Sequence, residues 1–190
     1  LERPTILLTT ANAALQRVPV PDFARSQSWS ARPGNRVDLG GLVSWLETNG
    51  FVRSSTVQDT GEYAVRGGIV DVFAPGMEAP VRLDFFGDTL ESLRTFDTET
   101  QRTTRQIKHL DLVAMSEVVL TEEAISRFRK GYVAGFGATD RDDILYQSIS
   151  EGRRYAGMEH WLPLFHEQLA TLFDYCAGVP FVLSSSIDDV

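Results

Sequence analysis

The sequence has one cysteine, Cys176, in 190 residues. No internal disulfide can form. A lone thiol beside Phe173, Asp174 and Tyr175 reads as buried and unreactive, and fits a reducing cytoplasm. Histidine is scarce as well. His109, His160 and His166 stand at no metal-ligand spacing, which with one cysteine argues against a zinc site. Positive charge is short: 18 Lys and Arg face 26 Asp and Glu, for a net charge of −8. Such a chain lacks the electrostatic footprint for phosphate backbones, which argues against non-specific DNA binding. No apolar run is long enough to span a bilayer, and there is no signal peptide. Neither G-x-x-x-x-G-K-[ST] nor G-x-G-x-x-G occurs, so no phosphate cradle is encoded. Ser184, Ser185 and Ser186 lack the glycines of a nucleophile elbow. Glu122 and Glu123 would diverge by about 100° on a helix and form no acid–base pair. No catalytic site is signalled.

What is present is enough apolar sequence for a core, 43% of the chain. The chain begins at Leu1 without methionine and reads as a piece of a longer protein. Its organising stretch is Gly61–Asp97. Apolar and polar residues alternate there, with breaks at Gly67-Gly68, Ala74-Pro75-Gly76 and Gly87-Asp88. The pattern predicts four short strands of a half-buried antiparallel sheet. Successive side chains on a strand point to opposite faces. Val81, Leu83 and Phe85 therefore share one face, and Arg82, Asp84 and Phe86 the other. Likewise Tyr63 and Val65 oppose Ala64 and Arg66. Two arginines and a phenylalanine on a polar face suit a protein-binding patch, since Arg and aromatics dominate hot spots. A second reading stands beside it, in which Phe86 folds over the sheet edge into the core. Asp84 reads as a local salt-bridge partner for Arg82 or Arg66.

The flanks are simpler. Thr5–Thr10 is a strand candidate, and Asn12–Arg17 a short helix or turn that Pro19 and Pro21 stop. Asp22–Ser30 reads as a loop or short helix packing Phe23 and Trp29. Ala31–Gly34 is a turn and a domain junction. Asp38 caps a helix over Leu39–Thr48, ended by Asn49-Gly50. Phe51–Val57 is a weak strand. Gln101–Gln106 adds an outer ribbon strand, and Ile107–Ala114 closes the unit. Thr121 caps a helix from Glu122 to about Gly135, with Ile125, Phe128 and Tyr132 on its apolar face. Asp140–Asp143 caps a helix over Ile144–Glu151, and Gly157–Phe165 has helical spacing. Phe181–Ser184 is a short strand.

The stretch Tyr63–Asp97, YAVRGGIVDVFAP followed by VRLDFFGDTLESLRTFD, resembles the second domain of the excision-repair protein UvrB and of its relative, the bacterial transcription-repair coupling factor. It departs from that pattern once, with Ala74 inserted before Pro75. SRFRKGYVAGFG, YQSISEG and GMEHWLPLF are similar to coupling-factor segments, so the resemblance covers nearly the whole chain. At the tail, Ser186, Ile187, Asp188 and Asp189 stand where UvrB has the Asp-Glu-Ser-His of its Walker B run. The metal-binding Asp and catalytic Glu are replaced by Ser186 and Ile187, which can neither hold Mg²⁺ nor orient water. This degeneracy is similar to the coupling factor.

The resemblance implies an α+β fold in two parts. Residues 33–114 would form a small twisted antiparallel sheet domain with one packed helix. Residues 1–32 and 115–190 would form a mostly helical flanking fragment of a helicase-like α/β module, with Thr5–Thr10 and Phe181–Ser184 in a parallel sheet. It implies a non-catalytic, cytoplasmic adaptor that binds UvrA through Arg66, Arg82 and Phe86. ATP, Mg²⁺, RNA polymerase and DNA would belong to other parts of the parent protein. Those other domains are themselves implied partners, able to mask the same face.

Overall fold

The computed structural model describes residues 6–140 and 142–182. The elements in chain order are α1 (Ala11–Leu15), β1 (Val18–Pro19), α2 (Pro21–Ser26), β2 (Ser28–Ala31) and α3 (Leu39–Thr48). Then come β3 (Val52–Arg53), β4 (Glu62–Arg66), β5 (Ile69–Val72), β6 (Val81–Phe86), β7 (Thr89–Phe96), β8 (Thr103–Ile107) and β9 (Leu110–Val113). Last are α4 (Glu122–Phe136), α5 (Ile144–Ser150), a 3-10 helix Met158–Leu164, β10 (Leu169–Ala170) and α6 (Leu172–Tyr175). The class is α+β.

Strands β3 to β8 form one six-stranded sheet in sequence order. Every pairing is antiparallel except β3–β4. The four strands expected in Gly61–Asp97 are β4 to β7. Two tight hairpins need a left-handed residue, and glycine supplies it: φ is 60° at Gly67 and 57° at Gly87. One sheet face packs against α3. Asp38 accepts a hydrogen bond from the Gly40 amide at 3.0 Å and starts that helix. Leu42 and Leu46, four apart on one helix face, sink into a cluster with Tyr63, Val70, Leu83 and Leu93. The Tyr63 hydroxyl donates to Glu47 Oε1 at 2.7 Å. Burial and that carboxylate push its phenol up to about 12.

Strand β2 pairs with β9 and carries Trp29 and Ala31 into the same cluster. A second cluster gathers around Phe128, with Val118, Ile149, Met158, Leu162 and Phe165. Thr121 and Asp143 cap α4 and α5 as expected. Among the described residues no helix is long and apolar enough to cross a membrane.

Several flank expectations are corrected. Residues 6–10 form no strand, and Ile6 and Leu8 are almost fully exposed. Among the described residues no neighbouring backbone accepts their hydrogen bonds, and Thr10 instead caps α1. Thr5 lies outside the described residues. Pro21 opens α2 rather than stopping a helix, because its missing N–H costs nothing at the first helical position. Phe51–Val57 contributes only the two residues of β3. Gly157–Phe165 is 3-10 rather than α, with Pro163 unable to donate inside it. Phe181 and Val182 are not in a strand, and Leu183 and Ser184 lie outside the described residues. Cys176 is half-buried rather than buried.

Candidate functional site

The second sheet face, opposite α3, is built from three cross-strand rows. In the first row Ala64, Asp71, Arg82, Arg94 and Gln106 stand side by side across β4 to β8. In the second, Arg66, Ile69, Asp84 and Ser92 align. The third, at the hairpin tip, pairs Phe86 with Thr89. Directly opposed residues on neighbouring strands project from the same side. The face predicted from alternation is therefore present, and Arg66, Arg82 and Phe86 lie on it.

Asp71 organises the first two rows. Its side chain is fully buried, and two arginines converge on it. Arg82 grips it bidentately, Nε to Oδ1 at 2.7 Å and Nη2 to Oδ2 at 2.9 Å. Arg66 Nη2 also donates to Oδ2. A carboxylate removed from water is costly unless paired and hydrogen-bonded, and here both oxygens are. The bond to Asp71 raises the Arg82 guanidinium above its ordinary range. Arg82 also donates to the Gln101 carbonyl and lies 4.8 Å from the Phe96 ring centroid. Its side chain is only 15% exposed, against 46% for Arg66. Arg82 is thus a strut within the sheet, whereas Arg66 keeps donors toward solvent.

Asp84 serves a different arginine from the expected ones. It accepts from Arg94 Nη2 at 2.6 Å and from the Ser92 hydroxyl at 2.7 Å. Arg82 and Arg66 belong to Asp71 instead, because Asp71 is the direct cross-strand neighbour of Arg82. Phe86 does not fold into the core; it is 78% exposed. The register between β6 and β7 shifts between Asp84 and Phe85, leaving Glu91 unpaired. A bulge of this kind adds local twist. Phe85 still packs against the α3-side core while Phe86 stands out from the tip.

Far from the hairpin tip this face is apolar, where Val57, Ala64 and Phe96 are buried with Phe73 against them. Among the described residues no group of His, Cys, Asp or Glu could hold a metal ion. Ser186 and Ile187 lie outside the described residues, as do Asp188 and Asp189. The face offers cationic hydrogen-bond donors around a solvent-exposed ring, an arrangement suited to binding an acidic partner surface.

Residues 30–117 match the family model described as the UvrB interaction domain. Over most of its length the chain is similar to transcription-repair-coupling factors. It is 37% identical to that of Haemophilus influenzae over 90% of its length. Identity is 35% over 90% for Escherichia coli and 38% over 85% for Myxococcus xanthus. The chain spans about 15% of the length of the first two relatives and 14% of the third. All three rows of the candidate face fall inside the stretch that matches the UvrB interaction domain. Asp71 is the organising residue of this face that strand alternation passed over. Its signal in the sequence was a lone acid within the apolar run Ile69–Val72.

Proposed function

We propose that this chain is a non-catalytic docking module of nucleotide-excision repair that binds UvrA. In the longer protein it would bring UvrA to an RNA polymerase stalled on damaged DNA. Residues 33–114 would carry the contact, and residues 1–32 and 115–190 would flank it as the helical fragment of a larger module. The carrying observation is Phe86, 78% exposed beside arginines on a face of the UvrB interaction domain. An exposed aromatic costs hydration that a partner socket removes, and burying a phenylalanine is worth about 1.5–3 kcal/mol. Arg66 adds charge-assisted bonds to partner carboxylates. Arg82 supports them from below.

The test is calorimetric titration of UvrA with the wild-type chain, Phe86→Ala and Arg66→Ala. Both variants should bind at least about tenfold more weakly, with circular dichroism unchanged. Wild-type affinity in both folded variants would sink the proposal. Arg82→Glu is the wrong probe. It would set a second carboxylate against buried Asp71 and confound folding with binding.

A further inference from the structure

Arg36 lies 27 residues before the first residue of the linear motif, in the loop that leads into α3, and nothing in the sequence ties it to Phe86. The topology does. Arg36 forms an isolated antiparallel bridge with Thr89, and Thr89 is the cross-strand partner of Phe86. Arg36, Thr89 and Phe86 therefore form one row, and directly opposed residues share a face. The neighbouring positions agree: Val37 and Phe85 both pack into the α3-side core cluster, so Arg36 and Phe86 project from the other side. Two strand spacings place their backbones about 10 Å apart.

Backbone bonds hold the loop in place. Gly34 N–H donates to the Leu90 carbonyl at 2.8 Å, Leu90 N–H to Asn35 at 3.0 Å, and Val37 N–H to Asp88 at 2.8 Å. The Asn35 side chain accepts from the Arg32 amide at 2.8 Å. Little backbone entropy remains to be lost when a partner arrives.

The guanidiniums of this face differ in what they have left to give. Arg82 and Arg66 share Asp71, and Arg94 is held by Asp84. Arg36 is exposed, and its side chain makes no hydrogen bond or ion pair among the described residues. Its donors are all available to a partner, and its replacement breaks no hydrogen bond or ion pair among the described residues.

We propose that Arg36 is a partner-contacting residue of the docking face, meeting a carboxylate on UvrA beside the socket that receives Phe86. This rests on the UvrA reading above. The matching surface on UvrA is an acidic side chain about 10 Å from an apolar depression. Arginine suits the role because its planar fork can grip a carboxylate bidentately, which lysine cannot do.

The experiment compares UvrA affinity for the wild type, Arg36→Glu, Arg36→Lys, Phe86→Ala and Lys130→Glu. Lys130, on α4, is exposed and lies outside the face, and its reversal changes net charge equally. Urea midpoints are recorded for each variant. Arg36→Glu should weaken binding at least about tenfold, and Arg36→Lys should weaken it less. Lys130→Glu should stay within about twofold, with the urea midpoint of Arg36→Glu unchanged. If Phe86→Ala loses affinity while Arg36→Glu binds like Lys130→Glu, the Arg36 assignment falls and the docking reading survives. If the folded wild type fails to bind UvrA, both fall together.

Discussion

Asp71 shows how much a single buried carboxylate decides. Its side chain has no exposure, and two arginines converge on it. Removing it leaves Arg82 largely buried with its main partner gone. Breaking a buried pair from one side costs about 3 kcal/mol. Arg66 is half exposed, and a solvent-screened pair contributes less than about 1 kcal/mol. Asp71→Ala should therefore lower the urea-derived unfolding free energy by about 3 kcal/mol, and Arg66→Ala by under about 1 kcal/mol. Equal losses would mean that the two arginines share the load. The side of the sheet that Arg66, Arg82 and Phe86 occupy could be read from alternation along each strand. The partner of Arg82 could not, because it depends on the register between strands. That register places Asp71 opposite Arg82 and Ser92 opposite Asp84. Arg36 was out of reach for the same reason.

At the scale of elements, α3 was readable almost to the residue. Asp38 and Asn49-Gly50 mark its ends chemically, and Leu42 and Leu46 mark its buried side. Strands β4 to β7 were readable because glycine turns separate them. The bulge between Asp84 and Phe85 was not, since it preserves the residue types and changes only which ones meet. Residues 6–10 misled for a physical reason: an apolar, β-prone run becomes a strand only where another strand accepts its hydrogen bonds, and none does so among the described residues. The close approach at Gly68 gives an element-scale test. A Cβ there would meet the Phe85 carbonyl oxygen at 2.8 Å, and the Phe85 amide donates to the Gly68 carbonyl at 2.8 Å. Gly68→Ala should separate β5 from the tip of β6 and cost about 1–3 kcal/mol. Amide resonances of Phe85 and Phe86 should move most in a two-dimensional NMR spectrum. An unchanged spectrum at those residues would refute the steric account.

Across the whole molecule the buried apolar residues fall mainly into two clusters, one under the sheet and one around Phe128. Phe128 stacks on Phe165 at 5.0 Å between ring centroids and also touches Tyr132 and Tyr146. Phe128→Ala should destabilise the helical cluster by about 3–5 kcal/mol. Hydrogen exchange should then quicken in α4 and α5, while β4 to β7 keep their protection. Equal loss of protection throughout would show a single cooperative core. Charge is distributed unevenly as well. Four arginines (Arg36, Arg66, Arg82 and Arg94) crowd a face with two aspartates, Asp71 and Asp84, in a chain of net charge −8. Positive and negative centres are thereby displaced, giving the molecule a permanent electric dipole. In the field of an acidic body that dipole feels a torque, which turns the arginine side forward before contact. Salt limits the range of this alignment to about 8 Å at physiological ionic strength. Two copies approaching arginine side first therefore repel each other.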